Sequence, residues 1–494
     1  MKNKIFLLLL SGVSLLCSCV NVDDETAAKP YVYWKAAQGA SYPQIRPDQI
    51  KTGKILSESE ADSPEAKKTS EEKFVRATDK IASGAQLSLV DLIDIALENN
   101  TSTRAYWFQA KAYAASVGKA NSGYYPQVSV SANVYRARIK PSLAYGGAFA
   151  QVGRYYETGF GPSAEISWLL CDFGQRSARV ESARQALYAA NFEYNRAIQQ
   201  VVLNVNLAYY GLVEAIGNVD AAKLNIQDAQ TAYKSAEEKY KSGVGNKPDM
   251  LNALANLKNA EFALQKAEAA VETARADLAA TLGVEVSQKI AVVAQVSPAT
   301  FPQSDKKIED LMAQAMRDRQ DLLAGYAQLK QSEYDIKAAK RNFLPKISAS
   351  ADASLTDYTQ SGRDDQTTLQ AGIGVSWSLF EGFARKYDLI SAKMKSHAAA
   401  QKLKQQEIQI MADVWSAFYS YKSALKQVAS ADAAVAANEE AYKATKTGYE
   451  SGVNSITDFL NAQNRLASAR QQRVLAVSTL SSSVAKLAYS VGAL

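Results

Sequence analysis

Few side chains in this sequence stand in company that could support catalysis. The single histidine, His397, lies in Ser396-His397-Ala398 on a helical stretch. No cysteine or carboxylate stands at ligand spacing from it, and metal and triad chemistry both need such partners. No glycine-rich phosphate loop and no serine nucleophile elbow occurs. There are three cysteines, Cys17, Cys19 and Cys171. Cys171 ends the apolar run Trp168-Leu169-Leu170-Cys171 and is expected to pack as a small buried hydrophobe. The sequence therefore predicts no enzyme, no metal and no cofactor apart from a covalent lipid. Hydrophobic residues are 47% and charged residues 21%, which excludes a disordered chain and a multi-span helical membrane protein. The net charge of +6 is spread along helical stretches without a basic stripe, so no nucleic-acid partner is expected.

The chemistry that remains is acylation of one cysteine. Lys2 and Lys4 precede an apolar run from Ile5 to Leu10 that continues through Val13, Leu15 and Leu16. This reads as a secretory signal peptide, too short to serve as a mature span. It ends in Leu16-Cys17-Ser18-Cys19, which resembles a bacterial lipobox. On that resemblance residues 1–18 leave as the signal and Cys19 becomes the lipidated N-terminus. Val20 follows, not the Asp that tends to retain a lipoprotein at the inner membrane. One acyl anchor alone binds weakly, so further membrane contacts are expected. Residues 19–85, with Pro30, Pro43, Pro47 and Pro64, read as an extended arm along the surface.

The elements behind these residues come in two copies. Tyr240-Lys241-Ser242-Gly243-Val244 recurs as Tyr449-Glu450-Ser451-Gly452-Val453, an offset of 209. Asp249 matches Asp458, Asn252 matches Asn461, Trp168 matches Trp377 and Arg176 matches Arg385 at the same offset. Nearer the N-terminus the offset is 219, pairing Asp91 with Asp310 and Pro126 with Pro345. A period this large marks a duplicated structural unit, here residues 86–283 and 307–494, joined by a linker at 284–306. Each copy opens with a helical stretch, 89–122 or 308–341, and later carries a very long helix, a Gly-containing turn and another helix. No proline occurs between Pro162 and Pro248 or after Pro345, and proline is the residue least tolerated inside helices. A helix from Gly174 to Lys241 would run on the order of 100 Å. Val414, Tyr421, Val428, Val435 and Tyr442 recur every seven residues, interleaved with Ile410, Ala417, Ala424 and Ala431. That narrow stripe predicts coiled-coil packing.

Between the helices lie four alternating segments, about 126–140, 158–170, 345–357 and 367–379. In the last, Leu369, Ala371, Ile373, Val375, Trp377 and Leu379 alternate with Gln370, Gly372, Gly374, Ser376 and Ser378. Segments of about ten residues with one apolar and one small polar face fit transmembrane β-strands whose polar face lines water. Trp168 and Trp377, near strand ends, suit a membrane-interface aromatic belt. Four strands cannot close a barrel, and no open edge survives in lipid. The chain must then oligomerise, and three copies supply 12 strands, enough to enclose an aqueous lumen.

With these features together, residues from about 85 onward, and the lipobox, resemble the TolC-type outer-membrane efflux family, in particular its lipoprotein branch. The motifs are Trp-x-Leu-x-Asp/Glu at Trp168 to Asp172 and Trp377 to Glu381, followed by Arg176 and Arg385, and Tyr-x-x-Gly with a downstream Asp-x-Leu-x-Ala at 240–253 and 449–462. The resemblance implies an α+β membrane protein: a trimeric 12-stranded transmembrane β-barrel, four strands per chain, continued by a long α-helical coiled-coil barrel in the periplasm. It implies a lipid-anchored outer-membrane exit duct working with a periplasmic adaptor and an inner-membrane pump of the resistance-nodulation-division type, exporting drugs or metal ions. A type I protein-secretion channel is the alternative within the family, and a structural coiled-coil lipoprotein the alternative outside it.

The resemblance also places control at the helix tips. Ser242, Gly243, Val244, Ser451, Gly452 and Val453 would form the periplasmic end that meets the adaptor. Just inside, threefold symmetry would turn Asp249 and Asp458 into carboxylate rings that favour cations. Helix capping competes with that role, equally for Asp249 after Pro248, less so for Asp458. Asn454 occupies a position where an Arg can join the gate's ionic network, and Asn461 stands where a second Asp can occur; Asn252, its repeat partner, is a further pore candidate.

Overall fold

The computed structural model describes residues 25–35, 86–139, 155–288, 290–293, 307–359 and 364–494. Cys19, most of the N-terminal arm, most of the linker and the loops at 140–154 and 360–363 lie outside the described residues. One element order occurs twice. Helices α1 (Leu89–Asn99) and α2 (Thr101–Asn121) lead to strands β1 (Gln127–Ile139) and β2 (Tyr155–Cys171), then to α3 (Gln175–Lys241) and α4 (Lys247–Leu282). The second pass runs α5 (Ile308–Asp318), α6 (Gln320–Arg341), β3 (Lys346–Tyr358), β4 (Gln366–Ser376), α7 (Ala384–Glu450) and α8 (Ile456–Ser490). No described helix is long and apolar enough to cross a membrane.

Three expectations need correction. Each opening helical stretch is two helices, broken at Asn100 and at Arg319, which are repeat partners at offset 219. Both residues leave the helical region, with ψ of 122° and 123°. The Asn100 N–H closes α1 on Ala96 O, while its side-chain oxygen accepts from Ser102 N at 2.8 Å and opens α2. At the second break the buried Arg319 guanidinium pairs with Asp321 at 2.6 Å and Asp413 at 3.0 Å. Neither break involves proline, so the apolar pattern runs through it. β4 ends at Ser376, leaving Trp377 and Leu379 beyond it. Cys171 is half-buried, not buried, at the irregular end of β2.

The described residues fall into two compact units, one within 25–26, 110–190 and 325–403, the other within 27–109, 191–324 and 404–494. In the first, the strands form one antiparallel sheet in the order β1-β2-β3-β4. Its register collects the apolar positions on one face. Val128 pairs with Ile166, Ile166 with Ala351 and Ala351 with Ala371; the next row is Val130, Ala164, Ala353 and Leu369. The other face carries Ser129, Glu165, Asp352 and Gln370, then Ser131, Ser163, Ser354 and Thr368. A one-residue slip would exchange the two faces completely, so the pattern fixes the register. The outer edges of β1 and β4 have no partner strand among the described residues. Apolar side chains on both edge strands are open, Val134 at 79% and Leu369 at 78% exposure.

Glycines in β2 admit close neighbours. A Cβ on Gly159 would stand 2.8 Å from the Tyr135 ring, whose hydroxyl donates to the buried Glu157 carboxylate at 2.9 Å. The β2–β3 ladder has no pairs at Gly161 and Pro162 but keeps one register across them, from Phe160 opposite Asp357 to Ser163 opposite Ser354.

In the second unit, Leu92 and Ile95 of α1, Val205 and Leu212 of α3, and Leu278 and Leu282 of α4 form a continuous core. Full burial of each such side chain contributes about 1.5–3 kcal/mol. Leu87 and Val292 add a short parallel bridge to this core. The heptad stripe of α7 is the face it buries, at Ile410, Val414, Tyr421, Ala424, Tyr442 and Tyr449.

Candidate functional site

The two helix-to-helix turns close by the same hydrogen bonds. At the end of α3, Gly243 takes φ +76°, its N–H donates to Tyr240 O at 3.1 Å, and Val244 N–H donates to Lys239 O at 3.0 Å. At the end of α7, Gly452 takes φ +80°, its N–H donates to Tyr449 O at 3.2 Å, and Val453 N–H donates to Gly448 O at 2.8 Å. This Schellman arrangement satisfies carbonyls that the helix leaves open and needs a left-handed residue at the glycine. The Ser242 hydroxyl donates to the same Lys239 O, and the Ser451 hydroxyl to Thr447 O. Val244 and Val453 are left 82% exposed. Gly452→Ala meets no atom within 4 Å, so its cost is the backbone term alone, about 1 kcal/mol. Amide hydrogen exchange at residues 452–454 should quicken about fivefold, with exchange in the strands unchanged.

Both turns are followed by a capped helix start, and at the second the Asp458 carboxylate is part of the cap. Asn246 caps α4 by accepting from Asp249 N at 2.8 Å. Ser455 and Asp458 form a capping box at the start of α8. Asp458 N donates to Ser455 Oγ at 3.1 Å, and Ser455 N and Oγ both donate to Asp458 Oδ2, at 3.2 and 2.6 Å. Asp458 and Asn461 nevertheless lie on one exposed face of α8, together with Arg465 and Ser468. Asn252 is exposed on α4 and Asp249 is half-buried. Asn454 turns inward, over Gly448, where an added Cβ would overlap its amide.

Behind the turns, Phe459 stacks between Tyr442 and Tyr449, with centroid distances of 5.6 and 5.5 Å. Burial, and then the nearby Asp249 charge, push the Tyr449 hydroxyl above its usual range. Lys239 Nζ donates to Tyr449 O and lies 4.0 Å from that ring's centroid, joining the first turn to the second. Its repeat partner is Gly448, so the duplication that reveals the turns conceals this bond.

The second repeated constellation is the strand-to-helix corner. Each corner uses two successive residues at positive φ, Phe173 and Gly174 in one copy, Gly382 and Phe383 in the other. Arg176 fastens the first. Its Nη1 donates to Gly123 O at 2.8 Å and Leu169 O at 2.6 Å, its Nη2 to Leu170 O at 3.1 Å, and its Nε to Asp172 at 3.2 Å. Asp172 in turn accepts from Gly174 N and Arg176 N. Arg385 fastens the second corner through Ser378 O, Asn342 O and Glu381. The exposed Trp168 and Trp377 donate their indole N–H to Tyr124 O at 2.9 Å and Phe343 O at 3.0 Å, tying strand ends to the preceding helices. Sequence spacing marked both arginines, but only the geometry shows that they bind strand-end carbonyls.

Comparison with known proteins bears on the duplicated fold. The family described as outer membrane efflux protein matches residues 92–284 and 311–493. Protein CyaE of Bordetella pertussis is 28% identical over 422 residues, 83% of this chain and 84% of its own. The probable outer membrane lipoprotein SilC of Salmonella typhimurium is 22% identical over 397 residues, 78% of this chain and 81% of its own. The crystal structure of the Campylobacter jejuni CmeC outer membrane channel shares the fold, with a TM-score of 0.70 at 19% identity over 82% of this chain and 85% of that one. With the match spanning both copies of the repeat, the chain belongs to the outer membrane efflux protein family.

Proposed function

We propose that three copies of this chain close a 12-stranded barrel in the outer membrane and serve as the exit duct of a tripartite efflux system. The carrying observation is the four-stranded sheet, with one continuous apolar face, one polar face and two open edges. In lipid those edges must pair, and pairing β1 of one copy with β4 of the next closes the sheet. The helices repeat the logic. Among the exposed side chains of α7 are Tyr387, Ile390, Met394, Ile408, Trp415 and Tyr419, an apolar stripe that a neighbouring copy would cover. Transport is passive, along a lumen lined by the polar strand face. No step of the account requires catalysis.

The exposed valines at the turns, Val244 and Val453, suit docking of a periplasmic adaptor, which would link the duct to an inner-membrane pump of the resistance-nodulation-division type. Small molecules such as drugs or metal ions are the expected cargo. Cys19 carries the lipid anchor in this reading, in keeping with the relative named an outer membrane lipoprotein. Asp458 supplies a carboxylate ring at the pore end, with Asn461 beside it and Asp249 and Asn252 on the partner helix. Capping and gating are compatible, because both bonds from Ser455 fall on Oδ2.

Single-channel recording in a planar bilayer tests the reading with wild type and Asp458→Asn, a change that removes the charge but keeps an acceptor for Ser455. Small cation-selective openings are expected, with selectivity reduced in the variant. Unchanged selectivity in Asp458→Asn would remove the ring, and a water-soluble product that never enters the bilayer would remove the channel.

A further inference from the structure

Along β1 the apolar face of the sheet carries Val128, Val130, Ala132 and Val134, and then Arg136 and Arg138. Alternate residues of a strand share a face, so the two arginines continue the row that Val128 begins. The register sets Arg136 opposite Thr158 and Arg138 opposite Tyr156 of β2. Both guanidiniums lie over the Tyr156 ring, at 5.1 and 5.9 Å from its centroid, and all three side chains are exposed. Cation–π attraction to one ring thus holds two like charges side by side, on residues about 7 Å apart along the strand.

Neither arginine forms an ion pair among the described residues. Glu157, next to Tyr156, belongs to the opposite face and accepts from the Tyr135 hydroxyl. Asp357 shares the apolar face but stands on β3, two strands from β1. The connection at 140–154 contains no Asp or Glu. The fold does not require the pair either. At the offset of 219 the matching residues, at the same places in β3, are Leu355 and Asp357.

The cluster lies at the end of the sheet away from the helices. Ser167 is opposite Gln127, and Trp168 is one residue nearer the helices, so ten residues separate its level from that of Arg136. At about 3.4 Å per residue and a tilt of about 40°, ten residues rise about 26 Å, which matches the apolar band of an outer-membrane barrel. With Trp168 at one interface, Arg136, Tyr156 and Arg138 reach headgroup level at the other.

We propose that Arg136, Arg138 and Tyr156 bind the phosphate of an anionic lipid headgroup in the leaflet away from the helices. This rests on the barrel reading, since only a sheet whose apolar face meets lipid presents the cluster to a bilayer. A guanidinium fork takes a phosphate through two parallel N–H bonds, and a tyrosine suits the boundary between headgroup and hydrocarbon. One phosphate between the arginines compensates both charges where water gives way to hydrocarbon.

The test is native mass spectrometry of the delipidated full chain, with dioleoyl phosphatidylglycerol or dioleoyl phosphatidylcholine added to neutral detergent micelles. Noncovalent lipid is read as adducts on the assembled species, and denaturing mass gives the covalent load. Wild type should retain phosphatidylglycerol in preference to phosphatidylcholine. Arg136→Gln and Arg138→Gln should each weaken that retention about fivefold, and the double variant should multiply the two losses. Arg136→Lys with Arg138→Lys should keep the preference for the anionic lipid. A three-chain species that holds both lipids equally, or a double Gln variant that keeps its phosphatidylglycerol, overturns the site and leaves the barrel standing. Loss of the three-chain species in the Gln variants assigns the arginines to a contact between copies and also overturns the site. A water-soluble single chain in wild type overturns the barrel reading, and the site with it.

Discussion

Gly161→Ala is expected to part β2 from β3 and prevent assembly of the sheet. A Cβ at Gly161 would lie 1.8 Å from the Leu355 carbonyl oxygen and 2.8 Å from its carbon. Both are backbone atoms of the neighbouring strand, so no rotamer change relieves the overlap. Pro162 already withholds a donor from the ladder at this point, and the register between Phe160 and Ser163 has no pairs to lose in compensation. Overpacking in ordinary cores costs about 1–3 kcal/mol, and a clash against backbone belongs at or above the upper end. Gly159→Ala is the control. Its added Cβ meets the end of the Tyr135 side chain, which can swing away at the cost of one hydrogen bond to Glu157, about 1–2 kcal/mol. Thermal unfolding in detergent should rank wild type above Gly159→Ala and Gly159→Ala well above Gly161→Ala. Equal midpoints for the two variants would mean that the strands approach less closely than described.

Arg176→Ala should be nearly as damaging. The side chain is 11% exposed and Asp172 is 6% exposed, so removal leaves a buried carboxylate without its countercharge. It also leaves the bonded carbonyls of Gly123, Leu169 and Leu170 without this donor. Breaking a buried pair from one side costs about 3–5 kcal/mol, and two backbone amides on Asp172 argue for the lower end. Arg385→Ala should cost less, about 1–2 kcal/mol, because Glu381 is 43% exposed and water can replace its partner. Lysine should rescue neither site well, since a single ammonium cannot reproduce a guanidinium's fork. The measured quantity is the difference between the two denaturation midpoints; identical losses would show that the buried carboxylate does not govern the first corner.

The sheet was legible in the sequence because period-two alternation is a local signal, and the observed register sets the alternating residues in rows across four strands. The turns were legible because duplication repeated Gly243 as Gly452, each at a position that only a left-handed residue fills easily. Ser455-x-x-Asp458 carries a capping-box spacing, yet a cap and a pore ring use the same residue, and only symmetry distinguishes them. Other features had no local signal. Asn100 and Arg319 break helices through side-chain bonds to distant or capping partners, without the proline that announces most breaks. Lys239 is bonded across the repeat to Tyr449, and Arg176 to carbonyls up to 53 residues away in sequence. The segment around Trp34 has no periodicity at all, and its partners are Tyr194 and Asn195, some 160 residues later.

The central claim is that the open edges of one sheet close on two further copies. Native mass spectrometry of the purified protein, released from detergent micelles, tests it most directly. The account predicts one dominant species of three chains, each heavier than the polypeptide by the lipid on Cys19. A dominant single chain, or a species of two or four chains, would contradict the 12-stranded barrel and the duct built on it.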